Sequence, residues 1–450
     1  MIFPVWELQS VSGGFLIAVI SVIHVFVAQF AVGGGFFLLR AETLAEKEHS
    51  VPIMDWTERH AKFFLLLTMV FGGLSGVAIW VIISLTSPAA TSLLVREFLY
   101  GWATEWCFFV GEIVALLLYS AGFAKVRSGA MSHETHRKFG LAYAVFSFLS
   151  LFVINGIVSF MLTPGYWPQT RNFWDGFFNP TFWPALVFRF LLCLALAGVF
   201  GLLTARRIRE ADARHTVVQR CAMWLCLPAL LLIPAAWWYY VALPADIQAS
   251  ILRRTADMKP YLRSFMDSLP VLVLVGILLL IRLPRKVLTV AGPILVILAL
   301  ITAGSFEWVR ETARRPWVIY GYMYSNGITK ELGAELQEKG VLEVSGWARL
   351  RAAGREAKTP VKLEDLTSEQ KDAFAGHLFA LECSPCHGKS GPMLDIRKRL
   401  AGLPPEGIEA VIAGMGTVSP YMPPFFGTEA ERAVLADHLA RYSAAQGGNR

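Results

Sequence analysis

The chain has 450 residues, 55% of them hydrophobic, and its mean hydropathy is +0.50. This composition excludes a water-soluble globular protein, because the apolar residues form runs of the roughly 20 residues that cross a bilayer. The net charge of +7 is modest, and Lys and Arg lie mainly in alternate loops, which indicates membrane topology and argues against nucleic-acid binding.

Eight apolar runs before residue 315 predict an all-α, polytopic membrane bundle of about eight spans. The loops after the odd-numbered spans hold most of the Lys and Arg residues, so the positive-inside rule makes those loops cytoplasmic. The N-terminus and the chain after span eight are then extracytoplasmic. The predicted spans are residues 10–40, 60–87, 94–123, 138–163, 182–205, 218–243, 265–283 and 287–310.

Three domains follow from this pattern: the bundle (residues 1–315), a linker with short helices (316–360) and an extracytoplasmic domain (361–450). Met1–Ser10 lacks the basic region of a signal peptide and is predicted to be an interfacial segment. Four cysteines lie in apolar spans and are predicted to be buried free thiols, without a structural disulfide: Cys107, Cys193, Cys221 and Cys226.

Span one contains His24, the only His well inside a predicted span. A polar ring in hydrocarbon needs a partner, so His24 either bonds to a neighbouring helix or ligates a haem iron. A haem-attachment motif near the C-terminus favours the iron. The run Gly33–Gly35 allows close approach of another helix or of a macrocycle. His60, beside Arg59 and Lys62, is expected at the cytoplasmic interface.

Span three carries two carboxylates, Glu105 and Glu112. They are seven residues apart, about two helical turns, and therefore lie near one face. Because ionised carboxylates are costly within a membrane, the pair indicates a proton path or a site beside a haem. In the alternative interpretation, Glu105 is interfacial and Glu112 only pairs across the bundle.

The segment after span four, residues 163–180, is rich in aromatic residues and prolines and is predicted to form an ordered external lid. In span five, Arg189 either pairs with a haem propionate or extends to the membrane interface. Span eight ends in Glu311, three residues before the pair Arg314 and Arg315. Glu311 can ligate an iron or bond a ligating group, and the alternative is an interfacial salt bridge.

The segment Cys383-Ser384-Pro385-Cys386-His387 has the spacing of c-type haem attachment. Cys383 and Cys386 can form thioethers to the haem vinyl groups, and His387 can ligate the iron. A redox dithiol or half of a zinc site needs no His at this position, and no second Cys pair lies nearby. Met422 is the preferred second ligand and Met415 the alternative, because prolines around Met422 hold an extended loop.

Residues 360–445 resemble a small class I cytochrome c, with the attachment motif, a Met-Pro-Pro-Phe loop at Met422 and a closing helix over residues 429–442. Haem of this type is attached on the outer side of an energy-converting membrane. The expected location is therefore a bacterial inner membrane, crossed several times, with this domain and the N-terminus in the periplasm.

The first 320 residues resemble subunit I of the cytochrome bd-type oxidases. Three stretches carry the likeness: His24 with the following glycines, Phe108–Glu112, and Glu311–Trp317. The last stretch is similar to the family signature Glu-x-Gly-Arg-Gln-Pro-Trp and differs from it at Ala313 and Arg315. The resemblance implies that His24 ligates one high-spin haem, that Glu311 serves the other, and that the following arginines bind its propionates. It also implies that the span-three glutamates conduct protons or lie beside a haem.

The chain departs from that family at the low-spin haem. No His follows Asn179-Pro180 at the start of span five, and Leu272 and Leu274 stand where the family has Arg and Met. The quinol-binding loop between spans six and seven is reduced to a short turn. The ninth span is absent, and the cytochrome c domain takes its place.

The sequence therefore predicts a subunit of a bd-like terminal oxidase that receives electrons through haem c and reduces O2 at membrane haem b or haem d. The expected partners are a second, bd oxidase-like membrane subunit and a periplasmic electron carrier, or quinol bound by that subunit. The alternative is a non-catalytic electron-transfer cytochrome subunit of a larger respiratory complex, which exchanges electrons with quinone or a periplasmic carrier.

Overall fold

The computed structural model describes residues 4–6, 8, 11–253, 258–354, 361–391, 394–417, 419 and 421–444. The chain forms two compact units, here named the bundle unit (residues 21–77 and 98–313) and the C-terminal unit (residues 1–20, 78–97 and 314–450). Within the described residues the protein is almost entirely α-helical, as predicted, and the strands there form one short hairpin.

Among the described residues before 314, eight helical segments are long and apolar enough to cross a membrane, which confirms the predicted number of spans. A π-helix, Leu67–Gly72, joins the two helices of the second span. Of the loop predicted between spans six and seven, residues 254–257 lie outside the described residues. The helices are α1 (Gly13–Lys47), α2 (Val51–Leu66), α3 (Gly73–Thr86), α4 (Pro88–Glu97), α5 (Leu99–Arg127), α6 (His133–Leu162), α7 (Trp167–Thr170), α8 (Phe173–Phe177), α9 (Phe182–Ala205), α10 (Ala211–Val241), α11 (Ala245–Arg253), α12 (Lys259–Leu278) and α13 (Arg285–Ala313).

Several spanning helices are longer than the apolar runs that predicted them. α1 continues to Lys47, past the predicted end at residue 40, and α6 begins at His133 instead of residue 138. The 35 residues of α1 make a helix about 50 Å long, whereas the hydrocarbon layer is about 30 Å thick. Polar turns outside the hydrocarbon continue a helix without interruption, so hydropathy locates the membrane layer and not the helix ends.

Small residues bring the helices of the bundle unit into close contact. A Cβ atom added at Gly33 of α1 would lie 1.9 Å from the carbonyl oxygen of Cys193 on α9. At Gly35 it would lie 2.6 Å from the Tyr143 ring on α6. These glycines therefore permit helix packing. Three intramembrane cysteines are buried thiols, as predicted, but Cys107 is exposed on α5, so that prediction was wrong.

From residue 314 onward, the described part of the C-terminal unit contains a hairpin and seven α-helices. Strands β1 (Trp317–Ile319) and β2 (Met323–Tyr324) pair antiparallel, with Trp317 opposite Tyr324. The helices are α14 (Lys330–Lys339), α15 (Val341–Val344), α16 (Gly346–Ala353), α17 (Ser368–Glu382), α18 (Ile396–Leu400), α19 (Pro405–Ala413) and α20 (Glu429–Ala444). The predicted short helix over residues 330–339 and the predicted closing helix are both present.

One hydrophobic core connects the helices of the C-terminal unit. Phe374 and Leu378 of α17 pack in this core with Leu435 of α20. Leu336 and Val341 belong to the same core, although they lie in the segment predicted as a linker. The segment contributes apolar side chains because α14 and α15 are amphipathic, and it is therefore part of the compact C-terminal unit.

Candidate functional site

The Cys-x-x-Cys-His motif forms a single turn directly after α17. The backbone N–H of His387 donates to the carbonyl oxygen of Cys383 at 2.8 Å, and that of Cys386 donates to the same oxygen at 3.1 Å. This turn brings both thiols and the imidazole together. Thr367 and Gln370 form a capping box at the start of α17, so the helix that precedes the motif is well defined.

The environment of the motif suits a ligating His and does not suit a reactive thiol. His387 Nδ1 lies 3.0 Å from the carbonyl oxygen of Leu394, which can only accept, so Nδ1 is the donor. A metal-bound His holds its second nitrogen in this way, and Nε2 then provides the ligating lone pair. Burial raises the pKa of the Cys383 thiol well above its usual value, which disfavours the thiolate of a redox dithiol.

The two candidate Met ligands occupy different environments. Met415 packs against the hydrophobic core of the C-terminal unit, as a core-filling residue does. Met422 is half-buried, is not a member of that core, and follows a turn in which its N–H donates to Ser419 at 3.1 Å. Phe425 and Phe426 anchor the end of the Met422 loop in the core. The environments therefore favour Met422 as the ligand.

The motif is also held by the first turn of α1, which the sequence analysis did not foresee. The N–H of Gly14 donates to the carbonyl oxygen of Pro385 at 2.9 Å, and the N–H of Gly13 donates to that of Ser384 at 3.3 Å. A Cβ atom at Gly14 would lie 2.6 Å from the Pro385 oxygen, so no other residue fits without displacing the motif.

In the bundle unit, His24 is half-buried and faces α3. Its Nδ1 lies 3.1 Å from Ser75 Oγ, whose own proton goes to the carbonyl oxygen of Phe71. His24 therefore donates through Nδ1 and presents Nε2 as a potential metal ligand. Gly76 leaves the space that the ring occupies, since a Cβ atom there would lie 3.2 Å from His24 Cε1. The two alternatives predicted for His24 are thus compatible, because the ring can bond to Ser75 of α3 through Nδ1 and still offer Nε2 to an iron.

The two carboxylates of α5 both face α6. Ser150 donates its hydroxyl to Glu105 at 2.7 Å. Tyr143 lies beside Glu112 and donates its hydroxyl to the backbone carbonyl of Ala31 at 2.9 Å, so its oxygen is left to accept from Glu112. Tyr143 and Ser150 are themselves seven residues apart on α6. The prediction that the carboxylates share one helix face is consistent with these contacts, and both side chains are half-buried.

Two polar side chains of the bundle unit, Arg189 and His60, are buried in the protein interior. Arg189 is only 5% exposed and donates to Asn155 Oδ1 at 3.0 Å, so it does not extend to the membrane surface. His60 is fully buried, stacks on Trp56 with ring centroids 5.4 Å apart, and bonds to Thr204 through Nδ1 at 2.9 Å. His60 is therefore enclosed by protein side chains, whereas its depth relative to the membrane interface stays a prediction.

Near the end of α13, a buried ion-pair cluster surrounds the predicted Glu311. Arg310 donates to Glu307 at 2.8 Å and to Glu311 at 2.6 Å. Among the described residues, Glu307 Oε1, Arg310 Nη1 and the Tyr239 hydroxyl are buried without a hydrogen-bond partner. Sequence reasoning missed Glu307 and Arg310, although their spacing of three residues is typical of a helical ion pair.

The arginines after Glu311 belong to the C-terminal unit. Arg314 is buried and donates to the backbone carbonyl of Val318, whereas Arg315 is half-buried. Leu274, at the position of the Met ligand of the resembling family, is exposed, and Leu272, at the position of that family's Arg, is buried in an apolar crevice with Leu192. Among the described residues, no group of three or more His, Cys, Asp or Glu side chains could hold a metal ion alone.

No known protein-family profile matches the sequence, and no curated protein matches it. Among solved structures, the bd oxidase from Geobacillus thermodenitrificans is similar over 70% of this chain and 90% of that chain, with a TM-score of 0.56 and 14% sequence identity. Since the identity is low, the likeness concerns the fold. The chain is thus a multi-pass, helical membrane protein with a bd oxidase-like fold.

Proposed function

We propose that the chain is a haem-binding subunit of a bd-like terminal oxidase, which takes electrons through haem c and reduces O2 at haem in the membrane. The observation that carries the proposal is the bd oxidase-like fold together with His24, whose donor Nδ1 leaves Nε2 for an iron. Bound haem supplies one-electron transfer at the C-terminal motif and an open coordination position for O2 in the bundle.

In the C-terminal unit, Cys383 and Cys386 would hold haem c through thioether bonds, and His387 and Met422 would supply the ligands to its iron. The bond from His387 to Leu394 orients the imidazole, and Met422 stands outside the hydrophobic core. A His and Met ligand pair raises the haem potential, which suits an acceptor of electrons from a periplasmic carrier.

In the bundle unit, His24 and Glu311 are the proposed ligands of non-covalent haem b or haem d. Arg310 holds the Glu311 carboxylate at 2.6 Å, which limits its rotation. Arg314 and Arg315 are proposed to bind haem propionates. A cationic, planar guanidinium is the side chain best suited to that task.

Reduction of O2 to water consumes protons, and Glu112 is proposed to supply them with Glu105. Both carboxylates have hydroxyl partners on α6, Tyr143 and Ser150, which can relay protons. The low-spin haem ligands and the quinol loop of the resembling family have no counterpart in this sequence. A second, bd oxidase-like membrane subunit is therefore proposed to complete the complex and, where quinol is the donor, to oxidise it.

The proposal is tested on the purified complex by CO binding to the reduced protein and by O2 consumption with a reduced periplasmic carrier. We expect a CO-difference spectrum from a high-spin haem and O2 uptake that depends on the reduced carrier. A fully low-spin, CO-insensitive spectrum without O2 uptake would remove the oxidase assignment. It would leave the alternative, an electron-transfer cytochrome subunit of a larger respiratory complex.

A further inference from the structure

A second polar cluster in the bundle unit, outside the sites described above, is centred on Glu42 of α1. Glu42 is fully buried. Its Oε1 lies 2.8 Å from His136 Nδ1 on α6, and its Oε2 accepts from the Tyr119 hydroxyl of α5 at 2.9 Å. A carboxylate that joins three helices in this way is costly to bury unless it is fully bonded or has a functional role.

The hydrogen bonds of His136 require one hydrogen between its Nδ1 and the Glu42 carboxylate. His136 Nε2 lies 2.8 Å from the backbone carbonyl of Tyr119, which can only accept, so Nε2 carries a hydrogen. The 2.8 Å contact between His136 Nδ1 and Glu42 then needs one more hydrogen, placed on either atom. The pair exists as imidazolium with carboxylate or as imidazole with carboxylic acid, and one proton shift interconverts them.

His133 connects this pair to the aqueous phase. Its side chain is 39% exposed, yet its Nδ1 is buried without a hydrogen-bond partner and lies 3.6 Å from Glu42 Oε1. His133 is the first residue of α6, at the end of the helix that the positive-inside rule places towards the cytoplasm. It can therefore collect a proton from water on one nitrogen and deliver one to Glu42 from the other.

The cluster is in register with the glutamates of α5. Successive polar residues on α5 are seven apart, and their partners on α6 are also seven apart, so three polar pairs follow one helix interface. Adjacent pairs are about 10 Å apart along the helices, a gap that two or three hydrogen-bonded waters span. The pairs are Tyr119 with His136, Glu112 with Tyr143, and Glu105 with Ser150.

We propose that the Glu42–His136 pair is the proton-loading site of the bundle, which takes protons from the cytoplasm through His133 and passes them along the interface of α5 and α6 to Glu112. The inference rests on the proposed function, because O2 reduction is what consumes the protons. A purely structural ion pair would explain the burial of Glu42. It would not explain why His133 Nδ1 is buried near Glu42 without a hydrogen bond, or why polar pairs recur every seven residues along α5 and α6. The titratable groups facing Glu42 are His133 and His136 from α6 and Tyr119 from α5.

The test compares Glu42→Gln, Glu42→Asp and Glu46→Gln in the complete complex. Glu46 lies one turn further along α1 and pairs with Arg137 of α6, so it is a matched acidic control on the same two helices. Glutamine keeps the shape of the side chain and its hydrogen bonds, and haem content verifies that each variant is folded. We expect Glu42→Gln to lower O2 turnover at least about tenfold, while electron transfer into haem c stays unchanged.

Further results separate this inference from the proposed function. Glu42→Asp should recover turnover to within about threefold of wild type, and Glu46→Gln should stay within about twofold, because only Glu42 carries the proton. Turnover and pH profile of Glu42→Gln equal to wild type would overturn the inference and leave the oxidase intact. If wild type consumes no O2, the oxidase assignment fails, and the inference about Glu42 is then tested by the pH dependence of the membrane-haem midpoint potentials. Loss of this pH dependence in Glu42→Gln would support a proton-loading site at Glu42. A pH dependence equal to wild type in Glu42→Gln would overturn the inference.

Discussion

Replacement of Gly14 by Ala tests the contact between α1 and the Cys-x-x-Cys-His motif. The added Cβ atom would lie 2.6 Å from the carbonyl oxygen of Pro385, a distance that carbon and oxygen do not tolerate without a bond. The motif must then move, and the hydrogen bonds from Gly14 to Pro385 and from Gly13 to Ser384 are strained or lost. At about 0.5–1.5 kcal/mol for each bond, docking of the motif weakens by about 1–3 kcal/mol.

The higher helix propensity of alanine stabilises α1 and so opposes the loss of docking in Gly14→Ala. A second Gly→Ala variant is therefore needed to measure the effect of helix propensity alone. Alanine inside a helix is favoured over glycine by about 0.5–1 kcal/mol. Gly376 lies within α17 of the same unit, and no atom lies within 4 Å of its hypothetical Cβ. Gly376→Ala should therefore stabilise the protein, whereas Gly14→Ala combines a small gain in propensity with the loss of docking.

Hydrogen exchange followed by mass spectrometry measures the docking in the intact, detergent-solubilised protein. In Gly14→Ala the peptide that contains residues 383–388 should exchange about fivefold to a hundredfold faster, since about 1.4 kcal/mol corresponds to a factor of ten. In Gly376→Ala the peptide that contains residues 383–388 should exchange no faster than in wild type. Exchange of this peptide at the wild-type rate in Gly14→Ala would refute the reasoning.

Three other outcomes are expected. His24→Ala should lose non-covalent haem while haem c is retained; an unchanged haem b or d spectrum would contradict the assignment. Met422→Ala should lower the haem c midpoint potential and abolish the charge-transfer absorption band of the Met–iron bond, whereas Met415→Ala should preserve the band; the reverse pattern would exchange the two assignments. Burial raises the pKa of the Glu382 carboxyl well above its usual value. Since the folded state then keeps a proton that the unfolded chain loses above about pH 4.3, stability falls as pH rises through the folded pKa. Glu382→Gln removes this fall, so its melting temperature should match wild type at pH 4 and exceed it at pH 8; equal values at both would contradict the shift.

Hydropathy was sufficient to predict the eight spans, because burial in hydrocarbon demands long apolar runs regardless of tertiary structure. The same signal misplaced the helix ends, since it does not register polar turns in the headgroup region. His60 was assigned to the interface because Arg59 and Lys62 lie beside it, and its burial depends on packing that hydropathy does not register. α2 begins at Val51, and the ring of His60 is enclosed by Trp56 and other aromatic side chains from α1 and α2.

The parts of the candidate site that consist of residues adjacent in sequence could be predicted. The parts that depend on how the helices pack could not. The motif at Cys383–His387 is local, and its turn follows from the sequence. Glu42 was missed because it follows the apolar run of span one, at a position interpreted as loop. The repeat of seven residues through Glu105, Glu112 and Tyr119 was an available signal, but its partners on α6 become evident only when the helices are packed.

Haem content per chain tests the central claim most directly. A pyridine haemochrome assay of the purified protein distinguishes c-type haem, which stays with the polypeptide after acid-acetone extraction, from extractable haem. The account predicts one covalent haem c at Cys383 and Cys386 and at least one extractable haem held in the bundle. Haem c alone, with no extractable haem in the intact complex, would contradict it.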